Sequence, residues 1–300
     1  MTSTLCDNVL IIGAGLIGGS LARALRERQL VSCVSGYGRN SEPLRQAVAD
    51  GTLDAVADDL PVAIAAADVI ILGVPTLTVK DYLPLVMQHR KPSCVVSDVA
   101  SVKGEITAML LEAFGEVPAW FVPGHPIAGS EKSGIAAANA NLYEHHKVIL
   151  TPDDTTDADA LALIDRLWRS VGADVVHMPV EEHDKVLAAT SHLPHALAFV
   201  LVDTLNDMQQ KNRIFEFAAG GFRDFTRIAS SHPVMWHDIM LANKGAVIDV
   251  MQSFRSHLDH LEQAIEAHDS EAILAIFTRA KEARDAFSEQ LNNRQSGNDL

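Results

Sequence analysis

The stretch VLIIGAGLIGGSLARAL, residues 9–25, constrains the fold more than any other part of the chain. An apolar run leads into Gly13, Gly15 and Gly18, and a helical pattern follows them. In such a motif the first glycine turns the chain, the second lets the backbone approach a pyrophosphate, and the third lets helix and strand pack closely. The N–H groups that open the helix then bind phosphate. We therefore predict a dinucleotide site; the alternative is a glycine-rich turn without a ligand.

Short apolar runs alternate with helical patterns over the first half of the chain. The strand candidates are NVLIIG, VSCVSGYG, DVIILGVP, SCVVSDV, AWFVPG and KVILTP, and the helix candidates between them include residues 20–29, 44–50 and 103–114. Because the strand candidates do not alternate apolar with polar residues, we expect a parallel sheet that is buried on both faces. This rhythm predicts an α/β Rossmann-type doubly wound sheet. Such sheets bind ligands at the carboxyl ends of their strands, so the cofactor should contact Leu16, Ile17, Val74 and Pro75.

The pattern becomes helical in the second half of the chain. We predict a dinucleotide-binding domain over residues 1–179 and an all-α helical dimerisation domain over residues 180–300. Two late stripes of apolar residues recur at helical spacing. They comprise Met251, Phe254, Leu258, Leu261 and Ile265, and then Ile273, Phe277, Ala280, Ala283, Phe287 and Leu291. A core shared by two chains is favoured over a core within one chain, because so small a helical domain has little else to bury these stripes. A homodimer is therefore expected.

Composition narrows the range of partners and compartments. Lys and Arg number 24 against 39 Asp and Glu, and the formal net charge of −15 argues against nucleic acid as a partner. The cysteines Cys6, Cys33 and Cys94 lack CxxC spacing, so we expect neither a disulfide framework nor a metal site. The N-terminus has no secretory pattern, and no apolar run approaches the roughly 18 residues that span a bilayer. We expect a cytoplasmic protein without a membrane partner.

The ribose end of the predicted cofactor site lacks a common feature. Many NAD sites place an acid at the end of the second strand, where it hydrogen-bonds the 2′-hydroxyl. Here that strand ends in GYGRN, so Gly38 occupies the acid's position. Arg39, Asn40 and Ser41 could bind a 2′-phosphate instead. We expect NADP or NAD as the cofactor, with a slight preference for NADP; the alternative is a solvated Arg39 beside an NAD site.

Five segments stand in a specific order along the chain: GAGLIGGSLA, SDVASVKGEI, PGHPIAGSEKSG, ATSHLPHALA and GGFRDFTRIASSHPVMW. In order and spacing they resemble the prephenate/arogenate dehydrogenase family, called cyclohexadienyl dehydrogenases when both substrates are accepted, over about residues 9–291. The resemblance implies oxidative decarboxylation in tyrosine biosynthesis. Hydride leaves C4 of a cyclohexadienol ring for the nicotinamide, and CO2 leaves C1 as the ring becomes aromatic. Since the motifs reach close to both ends, we expect no fused chorismate mutase or regulatory domain.

Two other classes of function stay open at this point. A β-hydroxyacid dehydrogenase or an imine reductase of similar two-domain plan would need a catalytic lysine or a different acid. A non-enzymatic dinucleotide-sensing protein would keep the glycine loop. It would have no reason to retain His125, Ser101 and Arg227 together.

His125 stands between a glycine and a proline in PGHPIAGS. The implied reaction needs a group that takes the proton of the C4 hydroxyl as hydride leaves, and a neutral imidazole with a pKa of about 6.5 suits this task. By resemblance His125 is the catalytic base, held against the substrate by the rigid turn; the alternative is a structural histidine. Ser101 resembles the serine that hydrogen-bonds the reacting hydroxyl or the histidine. It could instead cap the helix that begins near Lys103.

His192 and His195 lie one helical turn apart around Pro194, which should kink the helix and free a backbone carbonyl. By resemblance both histidines hydrogen-bond the substrate; the alternative is a pair of hydrogen-bonded core histidines. No further ligands recur nearby at metal-binding spacing, so we expect no metal.

A substrate of this class carries carboxylates, so an arginine should bind them. By resemblance Arg227 binds the ring carboxylate through two hydrogen bonds; the alternative is a surface ion pair with Asp224. Ser130 and Glu131 follow the histidine turn and should lie beside the substrate, with Glu131 and Asp224 as gate residues. Trp236 should wall the pocket from the neighbouring subunit, although simple core packing is an equal alternative.

Overall fold

The computed structural model describes residues 4–130 and 132–297, with side chains at all of these positions except 211 and 291–297. Six parallel strands form the main sheet in the order β3-β2-β1-β4-β5-β6. They are β1 (Cys6–Ile12), β2 (Val31–Tyr37), β3 (Ala55–Val56), β4 (Val69–Leu72), β5 (Val95–Asp98) and β6 (Phe121–Val122). This is the strand order of dinucleotide-binding folds, and it confirms the predicted doubly wound sheet.

Six helices lie between and after these strands along the chain: α1 (Leu16–Glu27), α2 (Glu42–Ala49), α3 (Leu60–Ala66), α4 (Leu83–His89), α5 (Lys103–Phe114) and α6 (Ala158–Ser170). The strands bury both faces against separate apolar clusters. In β1, Val9 and Ile11 belong to one cluster, whereas Leu10 and Ile12 belong to the other. All four side chains are at most 1% exposed. The continuous apolar runs therefore reflect burial on two sides, as expected.

A second, three-stranded sheet was not predicted. It consists of β7 (Gly124–Pro126), β8 (Lys147–Leu150) and β9 (Asp174–His177), with β7 antiparallel and β9 parallel to β8. The run AWFVPG thus divides between two sheets: β6 ends at Val122, and β7 begins at Gly124. The intervening Pro123 has no N–H to continue a ladder. This break carries His125 out of the main sheet and into the second.

After β9 the described chain is mainly helical. Its helices are α7 (Val180–Leu187), α8 (Leu193–Asp207), α9 (Lys211–Glu216), α10 (Gly220–Thr226), α11 (Pro233–Ala242), α12 (Lys244–Glu266) and α13 (Ser270–Gly297). A π-helical turn, Ala188–His192, joins α7 to α8, and Pro194 lies in the first turn of α8. The expected kink at Pro194 is therefore a π-helical turn just before the proline, a feature that often marks functional sites.

The helical run Val180–Asp207 also bears on membrane association. By length and composition alone it could cross a membrane, because an 18-residue window has a mean hydropathy of 1.4, with 22% of the window buried. The expectation that no apolar run approaches this length was wrong on these criteria. The same run contains His192, which is 1% exposed and hydrogen-bonds Asn243. Such a buried polar contact is typical of a helix packed within a globular fold.

By compactness the chain divides into residues 1–247 and 248–300, and the domain boundary after residue 179 stays a prediction. The first helices after that boundary pack onto the nucleotide-binding half. Asp184 in α7 accepts hydrogen bonds from the backbone of α5, and Val102 shares an apolar cluster with Trp236 and Ile239 of α11. These contacts join α7–α11 to the Rossmann half in a single unit.

The unit 248–300 contains most of α12 and all of α13. Large members of both predicted stripes are exposed in the single chain, namely Phe254, Leu258, Ile265, Phe277 and Phe287. The side chain of Leu291 lies outside the described residues. Contiguous exposed apolar side chains on helices mark surfaces that associate with other chains.

Candidate active site

The glycine loop after β1 has the geometry that a dinucleotide requires. Gly13 has a φ of +91°, and a Cβ built there would lie 2.6 Å from the backbone nitrogen of Val74. A Cβ at Gly18 would lie 2.7 Å from Cγ2 of Ile11, so only glycine lets α1 pack this closely on β1. At Gly15, by contrast, a Cβ would meet nothing within 4 Å. The loop is therefore closed towards the protein and open where a pyrophosphate would lie.

The N-terminus of α1 completes this site. Gly15 is the N-cap residue and makes no side-chain cap, and the first turn carries no acidic residue. The amides of Leu16 and Ile17 thus open the helix without a carboxylate that would compete for their positive end. Val74 adjoins Gly13, and Pro75 precedes the 3₁₀ turn Thr76–Asp81. These residues fit the phosphates of a dinucleotide.

The segment after β2 holds the predicted ribose contacts. A Cβ at Gly38 would meet only Cδ1 of Leu44 at 3.5 Å, so an acid at this position is not excluded by space. Arg39 and Asn40 are exposed, and Oδ1 of Asn40 accepts a 3.1 Å hydrogen bond from the Glu42 amide. Ser41 is the N-cap residue of α2, without a side-chain cap. The structure adds the exposed carboxylate of Glu42, the first residue of α2, which the sequence argument did not weigh.

His125 is the middle residue of β7, pairs with Ile149 of β8 and is 8% exposed. Its Nδ1 lies 2.9 Å from Nε2 of His183, and Nδ1 of His183 lies 2.7 Å from Oδ1 of Asp184. Asp184 in turn accepts the amides of Lys103 at 2.9 Å and Gly104 at 2.8 Å, the first two residues of α5. A continuous chain of hydrogen bonds therefore runs from the start of α5 to the His125 ring.

This chain of hydrogen bonds determines which ring nitrogen of His125 carries no proton. An ionised carboxylate only accepts hydrogen bonds, so His183 must carry its proton on Nδ1 and present the lone pair of Nε2. His125 must then donate from Nδ1, which leaves its own Nε2 as an unprotonated lone pair. The arrangement follows the logic of base-orienting triads.

The protonation states agree with this assignment. Burial acts to raise the pKa of Asp184, but hydrogen bonds from His183 and from the amides of α5 outweigh it and hold that pKa below its usual value. Burial first, then the neighbouring His183 and Lys103, holds the pKa of His125 well below 6.5. Burial also lowers the pKa of His183. At neutral pH both rings are neutral and Asp184 is charged, so His125 is ready to accept a proton.

Ser101 lies in the turn between β5 and α5. The N-cap residue of α5 is Val102, which makes no side-chain cap, and Asp184 takes the first amides of the helix. Ser101 is therefore not needed to cap α5, and its side chain is only partly buried.

The predicted histidine pair lies on the same helical side of the site. Nδ2 of Asn243 donates to Nδ1 of His192 at 3.1 Å, so His192 carries its proton on Nε2; burial lowers its pKa to about 4. His195 bonds the Ser191 carbonyl through Nδ1 at 2.8 Å, which leaves Nε2 as an acceptor. Its ring stacks on Trp236 at a centroid distance of 3.6 Å. Trp236 is 7% exposed, and its indole N–H is buried without a hydrogen bond to the described residues.

The remaining predicted residues lie on exposed segments. Arg227 opens the 3₁₀ turn Arg227–Ser230, which contacts α8, the helix that carries His195. Asp224 pairs with Arg223 at 3.3 Å, and both partners of that pair are exposed. Oγ of Ser130 accepts the Lys132 amide at 3.3 Å. Glu131 lies outside the described residues.

Comparison with known proteins decides the family. Residues 21–177 match the family model for the nucleotide-binding domain of prephenate dehydrogenase, and residues 179–279 match the model for its dimerization domain. The chain belongs to the prephenate dehydrogenase family. It is 37% identical over 284 residues to a cyclohexadienyl dehydrogenase of Zymomonas mobilis, covering 94% of this chain and 96% of that protein. It is 35% identical over 287 residues to a prephenate dehydrogenase of Bacillus subtilis, covering 94% and 76%.

A solved relative carries the same fold. The prephenate dehydrogenase from A. aeolicus, in complex with hydroxyphenyl propionate and NAD+, superposes with a TM-score of 0.87 at 38% identity, covering 94% of this chain and 98% of that one. The predicted prephenate dehydrogenase resemblance is confirmed by these matches. The hydroxyacid dehydrogenase, imine reductase and nucleotide-sensor alternatives are not favoured.

Three residues of the prephenate dehydrogenase site were missed by the sequence reasoning: His183, Asp184 and Asn243. Two of them form the adjacent pair in VEEHDKVL, a histidine next to an acid near the start of a helix. That pair was the available signal. It falls between the recognised segments, and nothing local shows that His183 meets a residue 58 positions earlier.

Proposed function

We propose that this chain catalyses the oxidative decarboxylation of prephenate, arogenate or both, as a nicotinamide-dependent dehydrogenase of tyrosine biosynthesis. The observation that carries the proposal is the hydrogen-bond chain that leaves Nε2 of His125 as a free acceptor. Family membership supplies the reaction class. The glycine loop, Val74 and His125 follow the ends of β1, β4 and β6, which are parallel strands, so all three lie at one edge of the sheet.

The chain's own residues would do the following. Gly13, Gly15 and Gly18 would admit the dinucleotide, with the amides of Leu16 and Ile17 on its phosphates. When bound, the nicotinamide accepts hydride from C4 of the substrate ring. His125 would take the C4 hydroxyl proton on Nε2 and return it to the phenolate oxygen after CO2 has left C1. Atoms and charges then balance without a further reactant.

Other residues would hold the substrate. Ser101, in the turn between β5 and α5, would hydrogen-bond the reacting hydroxyl. Nε2–H of His192 can donate, whereas Nε2 of His195 can accept, so the two rings offer complementary contacts. Arg227 would bind the ring carboxylate through two hydrogen bonds. Ser130, Glu131 and Trp236 stay predictions as substrate contacts.

For the cofactor we propose that both NAD and NADP are accepted, with a slight preference for NADP. Support comes from the missing acid at Gly38 and from the exposed Arg39 and Asn40. Asn40 commits its Oδ1 to the Glu42 amide, which leaves its Nδ2 group to donate to a phosphate. The carboxylate of Glu42 acts against a 2′-phosphate, so the preference should be small.

We propose that the chain works as a homodimer in the cytoplasm, with a small-molecule substrate and without nucleic acid. The exposed stripes of α12 and α13 support a partner, since Leu258, Ile265, Phe277 and Phe287 are at least half exposed in the single chain. The matched family model for residues 179–279 describes a dimerization domain.

One assay tests the proposed reaction. Purified protein is incubated with prephenate or arogenate and with NAD+ or NADP+, and the reduced cofactor, CO2 and the aromatic product are all measured. We expect stoichiometric formation of all three with at least one substrate. The variant Asp165→Asn, in a surface ion-pair cluster, serves as a control that retains activity. If neither prephenate nor arogenate releases CO2, the proposal is refuted.

A further inference from the structure

Asp98 and Lys103 form an ion pair whose two side chains are both 0% exposed. Removing two charges from water is costly, and an apolar pair of similar volume often serves stability equally well. Neither residue belongs to the proton chain of His125, His183 and Asp184 through its side chain. The pair therefore calls for an explanation other than stability.

The contacts of this pair converge on one residue, Gly124. Nζ of Lys103 donates to the carbonyl of Gly124 at 2.5 Å, and Oδ1 of Asp98 accepts the amide of Gly124 at 3.2 Å. Oδ2 of Asp98 also accepts the Ala100 amide at 2.8 Å. Both main-chain polar groups of Gly124 are thus held by one ion pair, and Gly124 directly precedes His125.

Packing tightens this attachment. A Cβ at Gly124 would lie 3.0 Å from the carbonyl oxygen of Asp98 and 3.2 Å from Cδ2 of Leu150. The peptide is therefore pressed between the end of β5 and strand β8. Gly124 can neither shift towards β5 nor exchange its hydrogen bonds with water, because every group around it is buried.

Lys103 has a second connection to the same histidine. Its backbone amide donates to Oδ1 of Asp184, the oxygen that also accepts from His183. The side chain of Lys103 thus holds the backbone in front of His125, while its main chain holds the carboxylate that orients the His125 ring through His183. One residue joins both supports of the imidazole.

We propose that Lys103, paired with Asp98, is a positioning residue that sets the orientation and basicity of His125 through the backbone of Gly124. This inference rests on the proposed function of His125 as the base. Lys103 does not touch the reacting atoms, since its ammonium is buried against Asp98 and Gly124. Its positive charge also contributes, after burial and His183, to the low pKa of His125.

The test compares two ion pairs of the same composition. The double variant Lys103→Met/Asp98→Asn removes both charges. Its one side-chain oxygen can accept the Gly124 amide, and the NH2 group then faces the Ala100 amide. The matched control is Lys91→Met/Asp68→Asn. Lys91 and Asp68 also form an ion pair that holds backbone groups, but at the amino-terminal end of the strands: Asp68 directly precedes β4 and accepts the amide of Asn8 in β1, and Lys91 donates to the carbonyl of Ala66. For each protein kcat, KM, the pH profile of kcat and the melting temperature are measured.

We expect kcat of the Lys103/Asp98 variant to fall about tenfold or more with KM within about twofold, as for lost orientation of a base. The acid limb of its pH profile should move to higher pH, because the cation that lowers the His125 pKa is gone. The control should keep kcat within about twofold, whatever its loss of melting temperature. A kcat loss no larger than in the control, or an unmoved acid limb, would overturn the inference.

Two further measurements keep the inference testable. If the double variant does not fold, the single variant Asp98→Asn carries the prediction for kcat and KM, since it removes the ion pair of Lys103. Because Lys103 itself stays in place, this variant carries no prediction for the acid limb. Imidazole ¹⁵N shifts of His125, identified by comparison with His125→Asn, report its tautomer and pKa without substrate. A changed titration in the Lys103 variant supports the inference even if the wild type turns over neither substrate, a result that would refute only the proposed function. An unchanged titration refutes the positioning role.

Discussion

Replacing Asp184 by asparagine should disable the base while leaving the substrate site in place. The two carboxylate oxygens accept three N–H groups: Oδ1 takes His183 and the Lys103 amide, and Oδ2 takes the Gly104 amide. An asparagine has only one oxygen. Its NH2 group must therefore face at least one donor that the carboxylate accepted, whichever way the amide is turned.

Each orientation of the amide has a calculable cost. With the NH2 group towards Gly104, two donors meet at the 2.8 Å separation now bridged by a hydrogen bond, and an unsatisfied buried donor costs about 1–3 kcal/mol. With the NH2 group towards His183, that ring must move its proton to Nε2. His125 would then have to accept on Nδ1 and carry its proton on Nε2, the atom that should be free. Loss of the correct tautomer in such systems lowers kcat by about 10²–10⁴-fold.

We therefore expect Asp184→Asn to lower kcat at least about 10²-fold, with KM for prephenate changed by less than about threefold. The assay is initial-rate formation of reduced cofactor at saturating substrate, with unfolding monitored in parallel. Asp157→Asn is the matched control, because Asp157 caps α6 through the amides of Asp159 and Ala160 and takes no part in the histidine chain. If Asp184→Asn and Asp157→Asn have similar kcat, Asp184 is only a helix cap and the tautomer argument is wrong.

Four other predictions address the base, the carboxylate site, the cofactor and pH. His125→Asn should lower kcat about 10²-fold or more with little change in KM; near-normal kcat would end its assignment as the base. Arg227→Ala should raise KM for prephenate about 10²-fold, with only partial rescue by lysine, and an unchanged KM would place the carboxylate elsewhere. Gly38→Asp should shift selectivity towards NAD, whereas Arg39→Ala should weaken only NADP; if neither variant alters the cofactor ratio, the missing acid does not set selectivity. Because burial lowers the folded-state pKa of His192 to about 4, its contribution to stability is present above pH 6.5 and lost as pH falls towards 4, a loss of about 2 kcal/mol by pH 5. The decrease in the free energy of unfolding from neutral pH to pH 5, measured by denaturant titration, should therefore be smaller in His192→Gln by about this amount, and equal decreases in the two proteins would contradict the low pKa.

The Rossmann half could be predicted from sequence because its signals are local. The spacing of Gly13, Gly15 and Gly18 specifies a turn, and continuous apolar runs specify strands buried on two faces. The second sheet escaped prediction for the same reason. Strand β7 has three residues, Gly124–Pro126, and no periodicity can be read from a run so short. Its existence depends on β8, more than twenty residues later, to which it pairs antiparallel.

The site was predictable only where a motif carried it. His125 could be named, but its state could not, because protonation depends on groups from separate elements. His183 comes from α7, and the amides that anchor Asp184 come from α5, eighty residues earlier. From sequence alone, a lysine such as Lys103 at the start of a helix is predicted to be solvated. In the structure it is fully buried. Both the protonation of His125 and the burial of Lys103 depend on long-range packing, which neither residue propensity nor motif spacing encodes.

Local charge, not net charge, explains how an acidic protein can serve an anionic substrate. The formal charge of −15 argues against extended polyanions, whose binding depends on fields over a wide surface. Around His125 each charge is matched: Lys103 pairs with Asp98, and Asp184 faces the positive end of α5 and the ring of His183. The neighbouring histidines are neutral, because burial lowers the pKa of His125, His183 and His192. The network therefore supplies a base without supplying a cation for the substrate. The positive charge that recognises a substrate carboxylate must therefore come from a residue outside this network. For this reason Arg227 is tested separately, through KM and not through kcat.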